Sequence, residues 1–150
     1  MNDVIRVVIA DDDNRFLMLV ANSLKAEPGV EVVGQGASAE QAVQLVRDLA
    51  PDVVVLDIGM PGGGLSSART ITADYPATRV MMLTSSQDED DIEEAFKAGA
   101  SAYVLKGVTQ RELVRIIRAA RAGECYLSPS LPAGPRVRGR AIAPETLGAS

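Results

Sequence analysis

A chain of 150 residues fits one domain with a substantial core, and 47% hydrophobic with 23% charged residues is ordinary for a globular fold. It has no histidine and one cysteine, Cys125, which excludes histidine triads, histidine metal sites and internal disulfides and fits a reducing cytoplasm. The net charge of -5 sits in the body, where residues 1–130 carry 12 Lys+Arg against 19 Asp+Glu, so a nucleic-acid surface on the globular part is disfavoured.

The N-terminus, MNDVIRVVIADDD, lacks the long apolar region of a signal peptide, and no apolar run approaches a membrane span. Its VIRVVIA predicts a first strand that runs into Asp11, Asp12 and Asp13. Phe16, Leu17, Val20, Ala21 and Leu24 then share one helical face, with Asp13 placed to cap it. A second strand, VEVVGQG from Val30, precedes a helix with Ala42, Leu45, Val46 and Leu49 on its apolar side. The third strand, DVVVLD, ends on Asp57 and is broken by Pro61 and three glycines.

The fourth strand, RVMMLT, ends on Thr84, followed by Ser85 and Ser86; Met81 and Met82 are core filling. An acidic run suited to a helix N-terminus leads into Ile92, Ala95 and Phe96, and Gly99 is placed to end that helix. The fifth strand, SAYVLK, ends on Lys106. Leu113, Ile116, Ile117 and Ala120 form the apolar stripe of the last helix, with Arg111, Arg115, Arg118 and Arg121 elsewhere around it. From Ser128 the periodicity dissolves into a Pro/Gly-rich linker or tail over 128–150, whose Arg136, Arg138 and Arg140 read as solubilising charge.

Five strand–helix repeats predict an α/β fold with a parallel sheet and helices on both faces. Functional groups in such sheets gather beyond the carboxyl ends of the strands. Those ends bring together carboxylates, a hydroxyl and an ammonium. Crowded carboxylates need a cation, and a hard oxygen-rich pocket suits Mg²⁺. A carboxylate can accept a phosphoryl group, and a metal with a lysine neutralises the group in flight. Asp57 is therefore the expected acceptor.

The motifs IADDD, VVVLDIGMPG, MMLTS and AYVLKG, in that order and spacing, resemble the receiver domain of two-component response regulators, the CheY-like family, over about residues 4–127. The resemblance implies a flavodoxin-like five-stranded sheet of order 2-1-3-4-5 and a receiver domain spanning 1–127. It implies Asp57 as phosphoacceptor, Asp12 as a direct Mg²⁺ ligand, Asp11 as an acidic-pocket member acting largely through water, and the Gly59 carbonyl completing the protein's share of the coordination. Lys106 would pair with the phosphoryl group, and Thr84 and Tyr103 would form the switch pair. The implied partner is a sensor histidine kinase, and the protein is a phosphoacceptor switch rather than an enzyme, with self-phosphorylation from acyl phosphates and self-dephosphorylation open to it.

The ending ELVRIIRAARAGECYLSP resembles the NarL/LuxR-type transcriptional regulators, in which a DNA-binding helix-turn-helix domain follows the linker. Nothing like that domain follows here, so the chain is expected to be a fragment or a receiver with only a tail. Three departures from the family pattern stand out. Gly107 replaces the usual proline after the lysine, MPGGGLSS replaces MPGMDGLE, and Gly59 brings no side chain where the family often tunes hydrolysis, which predicts slow loss of phosphate.

Blander readings leave Asp11, Asp12 and Asp13 as caps of the first helix with Asp13 best placed, Thr84 as a turn residue, Tyr103 as core, Lys106 as a solvated charge and Arg115, Arg118 and Arg121 as a solvated face, with a homodimer contact as the minor reading. A rival is a haloacid-dehalogenase-like phosphatase with its nucleophile at Asp11, although Arg15 stands where that family usually has Thr or Val. Asp57→Asn separates the two, since it abolishes phosphoryl labelling only in a receiver. A third reading is a stand-alone receiver acting only by protein contact.

Overall fold

The computed structural model describes residues 3–131. Strands β1 (Ile5–Ala10), β2 (Val30–Gly36), β3 (Val53–Leu56), β4 (Arg79–Thr84) and β5 (Ala102–Leu105) are the five read from the sequence. Helices α1 (Asn14–Lys25), α2 (Ala39–Leu49), α3 (Gly64–Asp74), α4 (Glu89–Lys97) and α5 (Gln110–Arg121) follow them in turn. A short sixth strand, β6 (Tyr126–Leu127), extends the sheet beyond the expected five. All pairs are parallel, in the order β2-β1-β3-β4-β5-β6, which keeps the expected 2-1-3-4-5 core. Two residues are too few to show a period, so only docking against Ala102 and Tyr103 reveals β6.

The sheet separates two apolar layers because alternate residues of a strand face opposite sides. Val53, Val55, Met81, Leu83 and Val104 face α1 and α5, where they meet Leu17, Leu24, Ile116 and Ile117. Val54, Leu56, Val80 and Met82 face α2, α3 and α4, where they meet Val46, Ile71, Ile92 and Phe96. Both faces are covered, which explains the unbroken apolar runs VVVL and VMML. Each such side chain contributes roughly 1.5–3 kcal/mol through burial.

Local signals set the helix ends. Asp13, Ser38, Asp88 and Thr109 cap α1, α2, α4 and α5 through side-chain oxygens that accept backbone N–H groups. Each cap is worth about 1 kcal/mol. Gly99, at φ 99°, follows α4 in the left-handed region as its position predicts. After β6 the chain stays packed: the Ser128 hydroxyl accepts the Leu105 N–H at 3.2 Å, and Leu131 is buried. Arg136, Arg138 and Arg140 lie outside the described residues.

Candidate functional site

β1 lies between β2 and β3, and Ala10 is in register with Leu56. The residues that follow, Asp11 and Asp12 on one strand and Asp57 on the other, are therefore neighbours. The Asp57 N–H donates to the Ala10 carbonyl at 3.1 Å, so the sheet carries the phosphoacceptor candidate one residue past its formal end. Carboxylate oxygens of Asp11, Asp12 and Asp57 all lie within 4.8 Å of one another. Asp11 and Asp57 are buried and Asp12 is exposed, leaving the cluster open to solvent on one side.

Lys106 reaches the same point from the far side. Thr84 and Leu105 are in register, and the Lys106 N–H donates to the Thr84 carbonyl at 3.0 Å. Its ammonium then spans back to Asp11 Oδ2 at 2.9 Å and Asp57 Oδ2 at 3.7 Å. Burial pushes the Asp11 carboxyl above its ordinary range, against the lowering effect of the Lys106 hydrogen bond. Burial alone would lower Lys106, but the bond to Asp11 and the nearby charges of Asp57, Asp11 and Asp13 outweigh it and hold the ammonium charged to higher pH.

The donor set suits a hard divalent cation. It consists of carboxylate oxygens with no nitrogen or sulfur ligand, one member open to water, and two buried carboxylates whose mutual repulsion a cation relieves. Asp11 already has both oxygens occupied, accepting from the Asp13 N–H at 2.8 Å and from Lys106. Among the described residues the Asp57 carboxylate has only the longer ion pair to Lys106, so it is less engaged than that of Asp11.

Thr84 is buried at the tip of β4, where its hydroxyl accepts the Ser86 N–H at 3.3 Å. Tyr103 is fully buried and its hydroxyl donates to the Ser86 carbonyl at 3.0 Å. The two switch candidates thus meet through Ser86, whose own hydroxyl donates to Asp91 at 2.6 Å in the first turn of α4. Burial, with the charges of Asp91, Asp88 and Asp57 adding to it, raises the Tyr103 hydroxyl above its usual range and keeps it a donor.

Glycines shape the loop beside Asp57. Gly62 and Gly63 both have φ 86°, where a side chain would be strained. A Cβ on Gly64 would overlap the Asp57 carbonyl, because the Gly64 N–H turns back to the Ile58 carbonyl at 3.0 Å. Gly59 is exposed and turned so that a Cβ there would lie 3.7 Å from Asp57 Oδ2.

Two neighbours of the site were not singled out from the sequence. Ser86 appeared only as a residue after Thr84, and no local pattern marks it as a junction. Phe16 appeared only as part of a core face, yet its ring lies under the Lys106 ammonium, 4.5 Å from the ring centroid. The signal available was the Asp13 cap, since a capped helix starting at a strand tip brings its first turn over that tip.

Residues 7–118 match the family described as the response regulator receiver domain. Response regulator GacA of Pseudomonas viridiflava is 35% identical over 129 residues, covering 85% of this chain and 60% of that protein. Transcriptional regulatory protein DegU of Brevibacillus brevis is 35% identical over 128 residues, covering 85% of this chain and 54% of that protein. The chain thus spans little more than half the length of the curated relatives it matches. The signal receiver domain of NarL from Mycobacterium tuberculosis superposes with a TM-score of 0.78 at 29% identity, over 81% of this chain and 99% of that one. A LuxR-family response regulator from an Aurantimonas species superposes with a TM-score of 0.76 at 32% identity, over 91% and 94%.

Proposed function

Since the chain belongs to the receiver domain family of two-component response regulators, we propose that Asp57 is its phosphoacceptor and that Asp11, Asp12, Thr84 and Lys106 serve the transfer. The observation that carries this reading is a single ammonium within reach of both Asp11 and Asp57, beside a cluster of three carboxylates at adjacent strand tips. An Asp57 oxygen forms the new O–P bond. The P–N bond of a kinase phosphohistidine, or the P–O bond of an acyl phosphate, breaks, and the donor leaves with the bonding electron pair.

Asp11, Asp12 and Asp57, with the Gly59 backbone carbonyl, would hold Mg²⁺, which when bound offsets charge on the carboxylates and the incoming phosphoryl oxygens. Lys106 presents a second positive charge and steers the group onto Asp57. The Thr84 hydroxyl, now accepting from the Ser86 N–H, keeps its own proton to donate to a phosphoryl oxygen. Drawing Thr84 toward the site shifts its contact with Ser86, and with it the Tyr103 and Asp91 contacts that set the start of α4. The result is a change in partner preference through a population shift.

The partner that supplies phosphate is a sensor histidine kinase. The readout is transcriptional, through a helix-turn-helix domain of the kind that LuxR-type relatives carry. A homodimer contact on α5 would draw on Arg115 and Arg118, because Arg121 already pairs with Asp3 at 2.7 Å.

Incubation with radiolabelled acetyl phosphate and Mg²⁺ tests the reading. Wild-type protein takes up acid-stable, base-labile label, and Asp57→Asn takes up none. Label retained in Asp57→Asn but lost in Asp11→Asn would instead assign the nucleophile of a haloacid-dehalogenase-like phosphatase.

A further inference from the structure

The Lys106 ammonium has three N–H donors, and two carboxylates do not use them all. On its remaining side it meets the face of Phe16, 4.5 Å from the ring centroid. That distance is well within the range at which a ring quadrupole attracts a cation. Phe16 comes from the first turn of α1 and is half-buried, packed against the same apolar layer as Leu17 and Leu113. Lys106 and Phe16 also wall a small cavity between α1 and α5, together with Val20, Leu83, Val108 and Leu113. The lysine stem therefore runs along an apolar wall that ends in an aromatic face.

This contact differs in kind from the other two. A cation held by the cluster would place a second positive charge beside Asp11, now the ammonium's closest partner. A phosphoryl group added to Asp57 changes the second partner as well. The ring carries no formal charge and is not one of the carboxylates, so neither change acts on it directly. A lysine has four rotatable side-chain bonds, and freed of its carboxylates it would sample many rotamers.

Resting on the phosphoacceptor reading above, we propose that Phe16 is a positioning residue: its ring holds the Lys106 ammonium at the site while a cation and a phosphoryl group alter its carboxylate contacts. Phe16 then serves transfer without touching the phosphoryl group. Leucine, which keeps most of the apolar volume but has no π face, does not replace it. Tyrosine, which keeps the face, does.

Two measurements test this. The chain has three lysines, Lys25, Lys97 and Lys106, so selective lysine labelling resolves Lys106 by NMR, with Lys106→Arg as the assignment control. In metal-free wild-type protein the Lys106 ε-CH₂ protons are shifted upfield by the ring, and in Phe16→Leu they return to the position of the other two lysines. Unshifted protons in the wild type would overturn the contact itself.

The second measurement is the rate of Asp57 labelling from acetyl phosphate with saturating Mg²⁺. Phe16→Leu slows it about three- to tenfold, the span of a single cation–π contact, and Phe16→Tyr restores it. A series of phenylalanines with increasing ring fluorination at position 16 lowers the rate stepwise at nearly constant size, and gives the answer even where Phe16→Leu fails to fold. A flat fluorination series, or a Phe16→Leu rate equal to wild type, would overturn the positioning role. Absence of wild-type labelling would instead defeat the phosphoacceptor reading, while the NMR measurement in metal-free protein still decides the Phe16–Lys106 contact.

Discussion

Lys106 pairs more closely with Asp11, at 2.9 Å, than with Asp57, at 3.7 Å. The ammonium is therefore held chiefly by Asp11 and not by Asp57. Lys106 and the carboxylate cluster share Asp11 and Asp57, so a cation held there would change the surroundings of the ammonium.

Mg²⁺ is expected to stabilise the protein by mass action, by about 2.7 kcal/mol at a hundredfold excess over its Kd. Asp12 is the solvent-facing member of the cluster, and Asp12→Asn should remove most of that gain without disturbing the core. Urea midpoints with and without Mg²⁺ measure both effects. A wild-type midpoint indifferent to Mg²⁺ would contradict a cation site.

The raised Lys106 value gives a pH signature in metal-free protein. A lysine whose folded value lies above its ordinary 10.5 contributes stability that is fully present below 10.5 and is lost as pH rises through the folded value. Wild-type protein should therefore lose more stability than Lys106→Met between about pH 8 and about pH 11. Tyr103 and Tyr126 also have raised values, but both variants contain them and their effect cancels. Denaturant curves at the two pH values provide the comparison, and parallel losses would contradict the pairing.

Two glycines make a matched pair. A Cβ on Gly64 meets the Asp57 carbonyl and Ile58, so Gly64→Ala should cost about 1–3 kcal/mol or prevent folding. A Cβ on Gly107 has nothing within 4 Å, so Gly107→Ala should stay within about 0.5 kcal/mol of wild type. Equal effects in urea denaturation would mean that the loop beside Asp57 does not close as described.

Tyr103→Phe removes the donor to the Ser86 carbonyl and should cost about 1 kcal/mol. The hydroxyl bonds to Ser86 and not to the carboxylates, so the rate of Asp57 labelling should be unchanged. A large fall in that rate would place Tyr103 in the transfer itself.

Gly59 presents no side chain next to Asp57, so nothing at that position orients a water for attack on the phosphorylated aspartate. Label on Asp57 should persist for hours after the donor is removed. Loss within minutes would contradict this.

The sequence by itself determined the alternation of five strands and five helices, the cap at Asp13, the acidic start of α4, the stop at Gly99, and the strand-end positions of Asp11, Asp57, Thr84 and Lys106. These are local properties, because period, cap and breaker act within a few residues of themselves. Only the tertiary structure decided that Lys106 rests on Asp11, that Phe16 lies beneath it, that Thr84 and Tyr103 meet at Ser86, and that Tyr126 and Leu127 form a sixth strand. Each of these depends on which strand neighbours which and how far a side chain reaches across the rim. The apolar pattern of Phe16 satisfies the core and the ammonium equally well, so no one-dimensional reading could separate its two roles.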